Sequence, residues 1–169
     1  MARTTNGLPS PRIFRDVLST VPTGVVVITA VDDGDPVGLV VGTFTSVSLD
    51  PPLVGFLPAA TSTSFPRVHA AGRFCANVLT VEQQQICRMF AASGGDKFAG
   101  LHWTPSEITG SPVLEGVAAW VDCSITTVHE AGDHLIVIGA VEDVGVAEPT
   151  TKGDASSLVF YRGAYSSLR

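Results

Sequence analysis

With 169 residues, 45% of them hydrophobic and only 15% charged, the chain can bury a packed core, and disorder is excluded as its overall state. A net charge of −6 with scattered basic residues excludes a nucleic-acid surface, which needs a basic stripe. The 3 cysteines (Cys75, Cys87, Cys123) hold no C-x-x-C pair and read as buried small hydrophobes of a reducing compartment.

The polar opening Met1–Pro11 lacks the apolar core of a signal peptide. The apolar stretches Gly24–Ala30 and Gly38–Val41 fall far short of the about 20 residues that cross a bilayer. A cytoplasmic protein without a membrane span is expected.

Along the chain, Ser10-Pro11 predicts a helix start, and Ile13, Phe14, Val17, Leu18 and Val21 then share one helical face up to Pro22. The β-branched run Gly24–Val31, the turn Asp32–Pro36 and the run Val37–Thr43 predict a hairpin. Leu49–Pro52 breaks the chain before a short strand, Leu53–Leu57. Ser64 is expected to cap a helix running to Ala71 and stopped by Gly72, and Phe74–Leu79 is again a strand. Thr80 and Gln83 match a capping box, opening a helix that turns Ile86, Met89 and Phe90 inward and ends at Ser93-Gly94-Gly95.

Two long strands, Ala118–Val128 and His134–Val146, follow around the turn at 130–133, and Leu158–Tyr161 is expected as the last strand. No β-α-β alternation runs through the chain, so a doubly wound sheet is unsupported and a largely antiparallel closed barrel is expected, as one domain over 1–169. No G-x-G-x-x-G or P-loop is present, so nicotinamide chemistry here would need a non-Rossmann fold. The 4 histidines show neither H-x-x-x-H nor a cysteine pair at ligand spacing, and no metal is expected.

Four segments carry chemistry. Gly38–Pro52 leaves a strand into a Thr/Ser-rich turn that can present amides and hydroxyls to a flat heteroaromatic ring, or simply fix its own turn. Thr61-Ser62-Thr63-Ser64 sets four hydroxyls at a helix start, a natural phosphate site; the plainer alternative is that Ser64 merely caps the helix, and the two are compatible. Gly132-Asp133-His134 puts an imidazole at a strand start beside a loop, and Asp96-Lys97-Phe98 pairs a cation with a ring after a glycine turn.

Together and in this order, these segments resemble the flavin reductase-like family, the FMN-binding split barrels that serve as reductase components of two-component flavin monooxygenases. The likeness runs from about Phe14 to Tyr165. It is carried by PTGVVVITA (22–30), TSVSLDPPLV (45–54), STSFP (62–66), GRFCANVL (72–79), Gln84 to Phe90, DKFAG (96–100), GSPVLEG (110–116), Asp122-Cys123, GDHLIVIGAVE (132–142) and LVFYRGAY (158–165).

The resemblance implies a mostly β fold, a homodimer of six-stranded antiparallel Greek-key split barrels with short flanking helices and flavin near the subunit interface. It implies that the backbone of Val40, Val41, Gly42 and Thr43 faces the isoalloxazine edge, with Ser46 and Ser48 close by. Ser62, Thr63 and Ser64 would take the phosphate, with Lys97 as cationic partner and Phe98 lining the site. His134 would meet the nicotinamide, and Tyr161 would lie near the stacked rings. Many relatives carry Thr at the position of Val40 and Ser at that of Gly42; here ring binding would fall to backbone amides.

The implied activity is reduction of FMN or FAD by NADH or NADPH, the reduced flavin then diffusing to a separate oxygenase. Two other readings stay open: a flavoprotein that holds FMN permanently as an electron carrier, and a non-catalytic flavin-binding module.

Overall fold

The structure, a computed structural model, describes residues 8–146 and 156–167. Helix α1 (Pro11–Leu18) starts as expected, with Ile13 N donating to Ser10 Oγ at 3.3 Å. None of its residues is buried. Strand β1 (Thr23–Gly24) leads into the hairpin β2 (Val26–Asp32) and β3 (Asp35–Val41). Its turn places Asp33 (φ 53°) and Gly34 (φ 85°) in the left-handed region, the backbone that matches strand twist in a two-residue hairpin.

Strands β4 (Thr45–Leu49) and β5 (Pro52–Phe56) precede helix α2 (Phe65–Ala71), which Gly72 ends at φ 68°. Strand β6 (Arg73–Val78) is followed by a 3-10 turn (Val81–Gln83) and helix α3 (Gln84–Ala91). The predicted capping box is formed, with Thr80 N donating to Gln83 Oε1 at 3.1 Å. The buried residues of α3 are Cys87 and, as expected, Phe90. Ile86 and Met89, expected inward, are half-buried.

The short strands β7 (Trp103–Pro105) and β8 (Pro112–Leu114) pair with each other. The long hairpin β9 (Ala119–Ala131) and β10 (His134–Val146) matches expectation. Leu158–Tyr161 is β11, but it is not last: β12 (Ala164–Ser167) returns along it through Arg162 and Gly163, both at positive φ.

The main sheet is wholly antiparallel, in the order β3-β2-β6-β9-β10-β5-β4, with β1-β11-β12 and β7-β8 as smaller sheets. The mostly β class is therefore observed. The ladder has 7 strands where six were expected, and its end strands β3 and β4 are not neighbours in it. The extra strand is β4, whose polar TSVSL sequence carries a weak strand signal.

Strand alternation explains why the run after Gly24 is apolar throughout. Val26, Ile28 and Ala30 face a core with Phe56 and Phe74, whose rings meet edge-on at 5.1 Å. Val25 and Val27 face a second core with Leu79, Phe90, Phe98 and Leu158. Gly139 of β10 is required by the first core, since a Cβ there would lie 2.8 Å from the Phe74 ring.

Candidate functional site

At the end of β3 the chain enters a cleft of about 450 Å³. Its walls are residues 40–43, the loop after β5 (Leu57–Ala59 and Thr61–Ser64), the end of α3 (Phe90–Ser93), Lys97 and His134. Tertiary bonds hold these pieces in place. Leu57 N donates to Thr43 Oγ1 at 2.9 Å, linking the strand end to the loop. Ala60 N donates to Asp133 O at 2.9 Å and Leu135 N to Pro58 O at 2.9 Å, so the start of β10 and its histidine are fixed against the hydroxyl loop. His134 is half-buried, and its Nδ1 lies 2.7 Å from Asp133 Oδ1.

The hydroxyl run is divided by role. Ser64 stands at the N-cap position of α2 but makes no side-chain cap bond; Ser62 Oγ takes that part, accepting from Phe65 N at 3.2 Å. The expectation that Ser64 caps is thus corrected, because its hydroxyl is turned to Lys97. Lys97 Nζ donates to Ser64 Oγ (3.2 Å), to Phe90 O (3.1 Å) and to Gly38 O (3.4 Å), joining α2, α3 and β3 around one ammonium. Partial burial lowers its pKa below the usual lysine range. Among the described residues no carboxylate pairs with it within 4.0 Å.

A cation held by neutral acceptors beside a run of hydroxyls lacks an anion. That donor set fits a phosphate, and the open cleft running from it to residues 40–43 fits a ring attached to that phosphate.

Gly42 has a different reason from the one its sequence suggests. A Cβ there would meet Thr23 Oγ1 at 2.9 Å, so the missing side chain makes room for β1 and not for a ligand. A smaller, apolar cavity of about 170 Å³ shares Val40, Val41 and Gly42 with the cleft and is lined by Cys87, Phe160 and Tyr165. Tyr165 Oη and Cys87 Sγ are 3.2 Å apart, and the Phe160 and Tyr165 rings meet edge-on at 5.3 Å.

Of the residues singled out in the sequence, the cleft gathers Val40, Val41, Gly42, Thr43, Ser62, Thr63, Ser64, Lys97 and His134. It does not include four others. Phe98 is buried between Phe90 (5.1 Å) and Trp103 (6.3 Å) and touches only a neighbouring cavity. Ser46 and Ser48 lie on the end strand β4, paired with β5. Tyr161 points its ring to the Arg162 guanidinium at 5.4 Å, while the preceding residue, Phe160, faces the small cavity.

Sequence reasoning missed Leu57–Ala59, Phe90–Ser93, Phe160 and Tyr165. The apolar strand ending in Leu57-Pro58 and the stop of α3 at Ser93 were visible only as punctuation.

The family described as a flavin reductase like domain matches residues 18–169. A flavin reductase of Pseudomonas putida is 51% identical over 156 residues, covering 92% of this chain and 88% of the relative. The reductase subunit of a flavin-dependent monooxygenase of Mycobacterium tuberculosis is 46% identical over 158 residues, 94% of this chain and 82% of that one. Among solved structures, an NADH:FAD oxidoreductase of Streptomyces globisporus in complex with NAD and FAD fragments superposes with a TM-score of 0.86 at 31% identity, covering 96% of this chain and 95% of that chain.

Proposed function

The chain belongs to the flavin reductase-like family, and on that premise we propose that it oxidises NADH or NADPH and reduces FMN or FAD, releasing reduced flavin to a separate flavin-dependent oxygenase. The observation that carries this reading is the convergence of residues 40–43, the hydroxyl loop, Lys97 and His134 on one cleft.

Held by these residues, a flavin would supply the hydride acceptor for a reduced nicotinamide, with no proton donor required from the protein. The chain's own work is placement. Backbone amides along Val40–Thr43 stabilise negative charge gained at the ring edge. Ser62, Thr63 and Ser64 hold the phosphate, and Lys97 supplies its counter-charge. His134 positions the nicotinamide and is not a general base. The walls would exclude water and align the nicotinamide with the flavin.

In this reading the chain is one flavin reductase-like unit over 1–169, cytoplasmic, and works as a homodimer. Support for the dimer comes from apolar side chains left in water: Phe14, Val17, Leu18 and Val21 around α1, and Val47 and Leu49 on β4. Ser46, Ser48 and Tyr161, outside the cleft of a single copy, are assigned to contacts completed near the subunit interface, and Phe98 to the wall behind Lys97. In the same reading β3 and β5 curve toward each other to close a six-stranded barrel with β4 outside it, which the two bonds between Thr43 and Leu57 support. No helix among the described residues is long and apolar enough to cross a membrane.

The test is nicotinamide oxidation by purified protein, followed by absorbance, with and without micromolar FMN or FAD. Turnover that depends on added flavin is expected. Absence of turnover with both nucleotides and both flavins overturns the reductase reading.

A further inference from the structure

We propose that the chain carries a second small-molecule site, separate from the cleft, and that this site takes an organic cation such as a quaternary ammonium compound. Its seat is a cavity of about 590 Å³ beside the β7–β8 hairpin. It shares no lining residue with the cleft. Trp120 and Val146, which line it, stand where β9 begins and β10 ends, whereas His134 opens β10 at the other end of the same hairpin. Roughly 40 Å of strand separates the two ends, at about 3.3 Å per residue.

The lining sets the class of ligand. Both of the chain's 2 tryptophans, Trp103 and Trp120, face this one cavity. Trp103 pairs with Leu114 across the short hairpin and meets the Phe98 ring edge-on at 6.3 Å. Trp120 lies over Gly145 of β10, where a Cβ would run into Cε2, Nε1 and Cζ2 of the indole at once. That simultaneous approach means the ring lies flat on the strand, and with Trp120 only half-buried its other face is left to the cavity. Both rings are therefore in place before a ligand arrives, which keeps the ordering cost of binding low. The face of an indole is the negative side of its quadrupole and attracts a cation.

Charge points the same way. Glu115 is the only Asp, Glu, Lys or Arg in the lining. Its backbone is fixed, since Glu115 N donates to His102 O at 3.0 Å and Gln83 Nε2 donates to Glu115 O at 2.8 Å. Its carboxylate has no ion-pair partner within 4.0 Å among the described residues. An anion such as a nucleotide phosphate would be repelled here, while a cation gains a counter-charge and two ring faces. Leu114 and Val117, both buried, give the methyl groups of such a cation an apolar wall.

Because no tryptophan lies outside this cavity, tryptophan emission of the flavin-free protein reports on it alone. The experiment titrates that emission with choline and with dimethylbutanol, which keeps the shape of choline but has carbon in place of the ammonium nitrogen. A saturable response to choline is expected, about tenfold tighter than the response to the alcohol. Glu115→Gln should weaken choline about fivefold or more and leave the alcohol within about twofold. Trp120→Leu should remove most of the preference for the cation, and Trp103→Leu serves in its place should that variant fail to fold. Calorimetry with FMN present at saturation should return the same choline constant.

Equal affinity for choline and the alcohol, or no saturable response to choline, overturns the proposal. So does a cation preference that survives both Glu115→Gln and the tryptophan variant. Displacement of choline by FMN would assign the cation to the cleft and overturn it as well.

Discussion

His134 Nδ1 lies 2.7 Å from Asp133 Oδ1, a bond between sequence neighbours at the rim of the cleft. The bond, and then the charge of the imidazole, hold the Asp133 carboxyl below the usual carboxylate range. With Nδ1 engaged, the other ring nitrogen, Nε2, is the one left for a ligand. His134→Ala should raise the KM for NADH about tenfold or more, with the flavin dissociation constant within about twofold of wild type. Asp133→Asn should raise the same KM by a few fold only. Steady-state kinetics together with flavin titration decide the matter, and an equal loss of flavin affinity contradicts this division of labour.

Lys97→Met removes three hydrogen bonds and the ammonium charge beside Ser64. FMN affinity should fall about tenfold or more, while riboflavin, which has no phosphate, should lose about twofold or less. Equal losses for the two ligands would assign Lys97 to holding the cleft walls together. Since burial lowers its pKa, its charge is lost at lower pH than that of an exposed lysine, and wild-type FMN affinity should decline correspondingly early on the alkaline side.

Asp122 is fully buried on β9 and holds the loop before β8, accepting from Thr109 N at 3.0 Å and Thr109 Oγ1 at 2.6 Å. Asp122→Ala should cost about 2–3 kcal/mol of stability, because it leaves a buried amide unpaired as well as removing charge-assisted bonds. Chemical denaturation measures this; a cost under about 0.5 kcal/mol would mean that the loop relaxes and finds other partners.

The thiol of Cys123 is pushed up to about 12, from an ordinary 9.0, by burial and then by Asp122, and Cys75 is raised by the same two causes. The folded chain thus keeps two protons that the unfolded chain releases. The stability tied to them is complete below pH 9 and is lost as pH rises toward 12. Melting temperature should fall across that window, and Cys123→Ala should make the fall shallower than in the wild type. Both thiols should react slowly with alkylating reagents at neutral pH, read by mass spectrometry.

Much of the fold was legible because its signals are local. The β-branched run after Gly24, the Asp33-Gly34 turn, the Thr80/Gln83 capping box and the long hairpin each act over a few residues, and each is present. The strands that escaped notice, β4, β7, β8 and β12, are short and polar or interrupted by proline, so their pairing depends on partners more than on propensity.

By itself, the sequence determined that the chain is mostly β, that its hydroxyl run, Lys97 and His134 deserve scrutiny, and which family it resembles. Only the tertiary structure decided how those residues divide their work. Ser62 and not Ser64 caps α2, since Lys97 arrives from 33 residues away to take the Ser64 hydroxyl. Gly42 is bare because Thr23 fills the space behind it, and Phe160 rather than Tyr161 faces Val40 because β11 pairs with β1 in one particular register. Caps, turns and strand periods are set within a few residues, where the sequence can be read. Which polar atom remains for a ligand depends on side chains brought in from distant segments, and packing alone chooses among them.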